Sequence, residues 1–546
     1  MMGANHGIGF TTHQDSLSAA ENAGGTVRAF PKRGLTLWRQ VDFIGFRALL
    51  ESAGEGQTPS RRGTWRPPDI FVAIRSRSRR WQISRPWELP QGRSVSLWQR
   101  LTPPQLFVGS FALLLVLGTL SLKWLPGIYR GEPLNWLDAC FIATSAVCVT
   151  GLSVVDVEAT FTFVGQVVLL VQIQLGGLGM LAFTSLIISL FGGRVSLRAE
   201  SLTAESRKLG PRVDVRRLTL DIVRFTFLIE SAGALLLYFF LIPRHGFIAA
   251  IWPAVFHSVS CFCSAGFSTY STSMMGFRES PAILLTLSAL GMIGGIGFIT
   301  MEEMYFRFLG SGKKRLRRLS THSRLALMTT LILVLVAWPL FAYFEWQGCL
   351  HGLSLTDKAC NAFFMSAMPR SVGFNAIDYG QASDSTNFLT ILLMTIGGAP
   401  GSTAGGMKTT TFALILLFAW SRLRHHETTI FGNRSIPEDT IQRAVGLAVI
   451  TSVVLAIAIF ALATTEHDGK GAGGDFLARM FEAASAFNTV GLSMGMTPSM
   501  SSASRILIIF LMFLGRIGPV TFATALVIRH VRKTHFRYAY EDVVVG

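Results

Sequence analysis

The chain has 546 residues, half of them hydrophobic and only 15% charged, with 41 Phe and a mean hydropathy of +0.45. Soluble domains usually carry about a quarter charged residues, so this balance excludes an ordinary soluble domain. The formal net charge of +17 would suggest nucleic acid if it lay on one soluble face, but it is distributed over alternate loops between apolar segments, which argues against that partner.

Residues 1–104 are polar, glycine- and arginine-rich, with runs such as Arg75-Ser76-Arg77-Ser78-Arg79-Arg80. They contain neither a stretch of spanning length nor the compact apolar region of a signal peptide. The composition predicts a basic, largely disordered cytoplasmic extension whose arginines suit anionic lipid. A translation start downstream of it would need a non-AUG codon, because no methionine lies between Met2 and Met180.

From residue 107 onward the pattern changes. A helix rises about 1.5 Å per residue, so roughly 20 apolar residues cross a hydrocarbon core about 30 Å thick. Residues 107–125, 163–191, 218–242, 282–308, 325–344, 388–420, 444–463 and 506–528 qualify, which predicts eight spans. The loops 192–217, 309–324, 421–443 and 529–537 are rich in Arg and Lys, most densely at Lys313, Lys314, Arg315, Arg317 and Arg318. The alternate loops carry acids: Glu132, Asp156 and Glu158, then Glu345 and Asp357, then Glu466, Asp468 and Asp475. This positive-inside pattern predicts a multi-pass protein of the cell (inner) membrane with both termini cytoplasmic.

Between the spans the chain repeats. Four apolar segments, at 141–152, 256–267, 364–374 and 481–492, are too short to cross and read as re-entrant. Each ends in a glycine (Gly151, Gly266, Gly373 and Gly491) followed by a bulky apolar residue. One such segment carries no information, but four copies at near-constant spacing mean one unit used four times. The predicted fold is an all-α membrane protein of four membrane helix–pore loop–membrane helix repeats around a pseudo-four-fold pore, with eight spanning helices and four re-entrant pore helices. The boundaries expected are 105–217, 218–324, 325–440 and 441–537, with a tail at 538–546.

The second span of each repeat holds a glycine cluster. Gly176-Gly177-Leu178-Gly179, Gly294-Gly295-Ile296-Gly297 and Gly515-Arg516-Ile517-Gly518 lie at matching points. Any one of them is explained by close helix packing. In the third repeat the matching point expands to 397–411, with Pro400 and too many glycines for an ordinary helix. At membrane depth such a break is tolerated only where protein covers it or it lines an aqueous cavity.

A bare monovalent cation in a membrane needs oxygen ligands in place of its hydration shell. Rings of backbone carbonyls from glycine-containing loops supply them without fixed charge, and short helices ending at such loops aim their negative ends at the ion. The predicted filter therefore comprises Val149, Thr150, Gly151 and Leu152, with Ser264, Ala265, Gly266 and Phe267. Its other half is Ser371, Val372, Gly373 and Phe374, with Thr489, Val490, Gly491 and Leu492. Main-chain oxygens are the expected ligands, assisted by the Thr150 hydroxyl.

At this point the motifs TSAVCVTGL, SCFCSAGF, PRSVGFN and SAFNTVGL resemble the four filter signatures of the Trk/Ktr/HKT superfamily, and GGAPGSTAGGMKTTT resembles its intramembrane gate loop. The resemblance covers about residues 105–546. It implies potassium as the ion at the filter, and a gate of Gly397, Gly398, Gly401, Ser402, Thr403, Gly405, Gly406, Lys408 and Arg516. A charge deep in a span is functional by default, and Arg516 is similar to the family's pore arginine, acting with the gate loop as a cation barrier. The lack of spans before residue 107 and the tail YEDVVVG at 540–546 resemble the Ktr branch. That branch implies a homodimer with one pore per protomer, a cytosolic nucleotide-binding regulatory ring on the basic loops, and sodium-stimulated uptake. The long N-terminal extension departs from the Ktr pattern.

Other residues have plainer readings. Lys408 either joins the barrier or sits at the cytoplasmic edge. Glu482 is read as a helix N-terminal cap rather than an ion ligand, and His257 as a packing or interfacial residue. Arg370 either holds the third loop by hydrogen bonds or faces the outer vestibule. Cys349 and Cys360 share one outward loop and could pair in an oxidising compartment. Enzyme motifs are missing: 310–314 lacks the spacing of a phosphate loop and His426-Glu427 lacks the second His of a zinc hydrolase. A proton- or sodium-coupled symporter and a sodium-preferring pore keep the same architecture. A polytopic membrane enzyme would need converging acids, bases or metal ligands in the spans, which are nearly free of them.

Overall fold

The structure is a computed structural model that describes residues 103–179, 215–308, 318–466 and 476–526. The extension up to residue 102, most of the basic loops at 192–217 and 309–324, the loop 529–537 and the tail 538–546 lie outside the described residues, as does 467–475 with Asp468 and Asp475.

The first unit runs α1 (Pro103–Trp124), the short buried helix α2 (Trp136–Val147), a single turn α3 (Val157–Thr160) and α4 (Phe163–Gly177). The second has α5 (Val215–His245), α6 (Ile251–Phe262), α7 (Pro281–Ile296) and α8 (Phe298–Phe308). The third has α9 (Thr321–Glu345), α10 (Leu355–Ala367), α11 (Asp384–Thr395) and α12 (Thr409–Leu423). The fourth has α13 (Glu438–Thr465), α14 (Phe476–Phe487), α15 (Ser502–Ile517) and α16 (Pro519–Leu526). The all-helical expectation meets one small exception, a two-residue hairpin pairing β1 (Ile430–Phe431) with β2 (Arg434–Ser435). Gly432 and Asn433 both take positive φ at its turn, as a tight hairpin demands.

Among the described residues four helices, α1, α5, α9 and α13, are long and apolar enough to cross a membrane. The pairs α7–α8 and α15–α16 pass the same test together but bend by 104° and 94°. The expected span 163–191 is described only as far as residue 179, and 388–420 is interrupted between α11 and α12. The outward faces are apolar: Leu228, Leu331, Ile457 and Phe460 are all exposed, which in a membrane means exposed to lipid.

The core lies around the four short helices rather than the spans. Phe141, Phe256, Phe364 and Phe481, one from each of α2, α6, α10 and α14, are fully buried. The glycine clusters explain how the second spans reach this core. A Cβ on Gly176 would collide with the carbonyl of Val147, on Gly294 with that of Phe262, and on Gly515 with that of Phe487. Those three carbonyls end equivalent turns of α2, α6 and α14, so the first glycine of each cluster is a packing residue. The last has another task. Gly179, Gly297 and Gly518 take positive φ, and the latter two sit at the 104° and 94° bends, in a region closed to most side chains.

Neighbouring units are also tied near the outer loops. Arg505 at the start of α15 meets Asp138 in the first turn of α2 at 2.6 Å, with both side chains mostly buried, and Glu158 accepts from the Ser271 amide and hydroxyl. Glu345 accepts from the amide and hydroxyl of Ser383, the cap of α11, and Glu466 accepts from the amide of Ser501, the cap of α15. Cys349 and Cys360 are unpaired. Arg505→Ala leaves Asp138 without its cation, a loss of about 1.5–3 kcal/mol. It is expected to lower the thermal unfolding midpoint in detergent by a few degrees, and an unchanged midpoint would remove this pair from the structural ties.

Candidate functional site

Each short helix ends where its loop begins, and the ends are alike. In units one, two and four the amides of Thr150, Ala265 and Val490 bond back to the carbonyls of Ser145, Ser260 and Ser485, at 2.7, 2.7 and 2.9 Å. The amides of Val149, Ser264 and Thr489 bond to Ala146, Cys261 and Ala486. This pair of bonds is a Schellman cap, whose residue just past the helix is left-handed and usually glycine. Here it is Val149 (φ 56°), Ser264 (φ 64°) and Thr489 (φ 50°). The third loop is one residue shorter and contains Pro369. There Gly373 bonds back to the Met368 carbonyl, and Ser371 holds the left-handed position with φ 81°. Non-glycine residues in this region store of order 1–3 kcal/mol each and mark functional sites.

Two positions further on, Gly151, Gly266, Gly373 and Gly491 are again left-handed, with φ between 68° and 97°. Alternating left- and right-handed residues turn successive carbonyls toward the same side of a strand. The four loops then close on one another. A Cβ on Gly151 would strike the Ala265 carbonyl, one on Gly266 the Val372 carbonyl, one on Gly373 the Val490 carbonyl and one on Gly491 the Thr150 carbonyl. Loop one thus abuts two, two abuts three, three abuts four, and four returns to one. The expected filter residues are brought together as one ring, in which only glycine leaves room for the neighbour's oxygen.

Behind the ring, serines of the short helices hold the loops. Ser145 Oγ accepts from the Gly151 amide and Ser485 Oγ from the Gly491 amide, each at 3.0 Å, while Ser260 Oγ donates to the Phe267 carbonyl at 2.8 Å. Val149, Leu152, Phe267, Phe374 and Leu492 turn their side chains into the core. Thr150 Oγ1 and Thr489 Oγ1 are buried with no hydrogen-bond partner among the described residues.

Residues 104–538 match the TrkH family model, described as a cation transport protein. The chain belongs to that family. It is 36% identical to Ktr system potassium uptake protein B of Bacillus subtilis over 458 residues, 84% of this chain and 99% of that protein. It is 34% identical to potassium/sodium uptake protein NtpJ of Enterococcus hirae, over 82% of this chain and 98% of that one. The crystal structure of the potassium transporter TrkH from Vibrio parahaemolyticus has the same fold, with a TM-score of 0.62 at 18% identity, covering 80% of this chain and 87% of that chain. A cation transporter of this family is a multi-pass membrane protein.

The break between α11 and α12 lies against the helix side of the ring, at the left-handed residues that precede the glycines. Thr403 Oγ1 meets Ser264 Oγ at 2.9 Å and bonds the carbonyls of Phe262 and Gly294. The Gly405 amide donates to Ser371 Oγ, which itself donates to the Thr489 carbonyl. Gly405 and Gly406 are backed so closely by Thr489 and Asn488 that neither has room for a Cβ. The segment is stitched at both ends: the Gly397 amide bonds the Met407 carbonyl, the Ala399 amide the Gly295 carbonyl, the Phe298 amide the Gly401 carbonyl, and the Thr409 amide the Gly398 carbonyl. Gly401 is left-handed, and Ser402 Oγ accepts from the Ala404 amide.

Arg516, in the last turn of α15, donates to the Thr403 carbonyl and to the Gly176 carbonyl of α4. With the Ser264, Ser371 and Thr489 contacts, the segment 397–411 engages units two, three and four, and Arg516 links it to unit one. Lys408 Nζ turns back to the Ala404 carbonyl at 2.7 Å, within the segment. Arg370 is buried and donates to Thr330 and weakly to the Gly397 carbonyl, so it stands behind the third loop rather than in a vestibule.

Two assignments change. Glu482 is not an N-terminal cap: α14 begins at Phe476, and the Glu482 carboxylate, fully buried, accepts from the hydroxyls of Ser493 and Thr497. The helix start was invisible because the preceding residues 471–475 give no periodic signal. His257 is more than packing. Its Nδ1 is 2.7 Å from the Pro253 carbonyl and its Nε2 2.9 Å from Ser268 Oγ, and it stacks on Tyr270. Burial pushes the Tyr270 hydroxyl above its ordinary value, so it stays protonated beside His245 Nε2 at 3.0 Å.

Glu230 went unnoticed. It is a buried acid of α5, bonded by Gln174 Nε2 at 3.1 Å and by the Cys263 thiol, and only its place in an apolar span signals it. Among the described residues it joins no cluster of metal-ligating side chains.

Gly373→Ala, which drives a methyl into the Val490 carbonyl, is expected to cut cation uptake at least tenfold in protein that still reaches the membrane. Wild-type uptake by that variant would show that the ring does not need the close approach.

Proposed function

We propose that the chain is the ion-translocating subunit of a potassium uptake system, passing potassium through a gated pore at the centre of four pore-loop repeats in one chain. The observation that carries the reading is the closed ring of loops, each with a left-handed residue two before its glycine and another at the glycine. A dehydrated potassium ion needs several inward carbonyl oxygens held by a backbone that cannot collapse. The relatives named for potassium uptake lie within the same family and support the choice of ion. The ring residues from Val149 to Leu492 form the filter in this reading, arranged pseudo-four-fold within eight spans, with both termini cytoplasmic.

Residues 397–411 with Arg516 form the gate. A guanidinium between the carbonyls of Thr403 and Gly176 puts a fixed positive charge where the ion would leave the ring, and the gate opens when those bonds are exchanged. Flux is passive, so no catalytic chemistry is assigned. The Ktr-type relatives carry the further reading of a homodimer with one pore per protomer, regulated by a separate cytosolic nucleotide-binding ring. NtpJ, a potassium/sodium uptake protein by name, favours a second reading in which sodium activates or also permeates.

Expression in a potassium-uptake-deficient cell tests this. Rescue of growth at low potassium is expected, enhanced by millimolar sodium, while failure with every regulatory partner supplied would overturn the potassium reading. Arg516→Ala is expected to raise unregulated flux several-fold in proteoliposomes. An unchanged flux would remove Arg516 from the gate.

A further inference from the structure

The four loops share their backbone, but their outer ends are held in two different ways. In each short helix one residue follows the buried phenylalanine: Ile142, His257, Met365 and Glu482. In each loop one residue stands two places beyond the filter glycine: Ser153, Ser268, Asn375 and Ser493. In loops two and four these positions pair. Because His257 Nδ1 lies against the Pro253 carbonyl, the proton belongs on Nδ1, which leaves Nε2 to accept from Ser268. In loop four, Glu482 Oε1 accepts from Ser493. Each of these serines also accepts from the amide two residues on: Ser268 from Tyr270 at 3.0 Å, Ser493 from Gly495 at 2.9 Å. The two arrangements are the same bond network built from different acceptors.

Loops one and three have no such acceptor. Ile142 and Met365 are apolar and buried. With no side-chain acceptor on the short helix to reach, Ser153 Oγ turns back to the Val155 carbonyl at 2.5 Å and Asn375 Nδ2 to the Ile377 carbonyl at 3.0 Å, while the Asn375 backbone bonds Met274 and Ser273 of unit two. The glycine contacts run one to two to three to four and back to one, so the pinned loops are diagonal partners across the ring.

We propose that Glu482 and His257 are positioning residues that set ion specificity, by fixing two diagonally opposed filter loops from behind through a side-chain pin that the other two loops lack. Neither touches the ion. Each holds the residue two beyond a filter glycine, and through it the carbonyls of that loop. Their burial at full hydrogen bonding makes the attachment rigid: Glu482 takes Ser493 and Thr497, the latter at 2.9 Å, and His257 is held between Pro253 and Tyr270. A ring pinned from behind on one diagonal keeps that span constant. That is enough to penalise an ion too small to touch both pinned loops.

The inference rests on the reading of these loops as a potassium filter, and the test separates the two. Purified wild type and variants are compared in proteoliposomes by the ratio of potassium to sodium uptake, at equal reconstituted protein. Glu482→Ala and His257→Ala are each expected to lower the ratio roughly tenfold, the discrimination carried by one charge-assisted or buried hydrogen bond. Glu482→Gln, which keeps an acceptor for Ser493, is expected to stay near the wild-type ratio. Ile142→Ala and Met365→Ala remove buried apolar volume at the unpinned loops and are expected to lower the yield without moving the ratio. Ser493→Ala removes the partner hydroxyl and serves where Glu482→Ala fails to fold. A selective wild type with an unchanged ratio in Glu482→Ala, or in Ser493→Ala in its place, overturns the pinning. Equal losses at Ile142 and Met365 overturn the diagonal division, and a Gln variant as poor as Ala overturns hydrogen bonding in favour of charge. A wild type without selectivity overturns the potassium filter itself, and this inference with it.

Discussion

A carbonyl oxygen is a good ligand for a bare cation only if the chain behind it cannot relax away, and the ring is built around that difficulty. Each loop leaves its helix through a left-handed residue that carries a side chain at Val149, Ser264, Ser371 and Thr489, and reaches a left-handed glycine two positions later. An isolated loop would abandon this conformation. Here it cannot, because each glycine is covered by the next loop's carbonyl and the helix end below is closed by two backbone bonds. The strain is shared around a closed circuit, so releasing one loop would require moving its neighbour. The deep burial of the four phenylalanines and the close approach of Gly176, Gly294 and Gly515 exist to hold that circuit against the spans.

The same glycine cluster shows how one sequence feature meets two physical needs. Its first glycine removes a side chain so that a helix can touch a carbonyl, and its last bends the chain by about a right angle through a left-handed step. In the third unit both needs are met by a longer segment whose backbone groups must find partners without a helix. They find them in their own unit at Ser371, in the second at Gly294 and Gly295, and in the fourth at Arg516, which also bonds Gly176 of the first. Because Thr403 and Gly405 bond Ser264 and Ser371 themselves, the segment cannot shift without disturbing the left-handed residues that open the ring's loops. Segment and ring are mechanically one object.

The repeat was legible because glycine has few other reasons to recur with the same neighbours, and the ring positions followed from it. The broken helix was legible for the same reason. What lay hidden was anything decided by a partner distant in sequence. Nothing marks Val149 or Thr489 as left-handed, since β-branched residues disfavour that region and only the neighbouring loop's grip keeps them there. Arg370 had two open readings until Thr330, forty positions upstream, supplied its partner. Glu482 was misread because its role depends on Ser493 and Thr497 rather than on its distance from a helix end. Lys408 likewise turns inward to a carbonyl of its own loop. Hydropathy predicts eight spans, but two of the expected spans are bent and the one at 388–420 is split, because periodicity does not register a single glycine used as a hinge.

One chain with four units has a freedom that four identical chains lack. A residue introduced once in a symmetric assembly appears four times at the axis, so a single arginine would become a ring of four cations. Here Arg516 occurs once, and its two bonds reach two different units, the third through Thr403 and the first through Gly176. The expanded loop occurs once for the same reason, since four such segments would compete for the space that one fills beneath Ser264, Ser371 and Thr489. Symmetry is kept where the ion needs equal oxygens on every side, in the alternating left-handed backbone. It is broken at each end of that backbone, by the segment packed before the glycines and by the unequal anchoring of the loops beyond them, where a partner is needed on one side only.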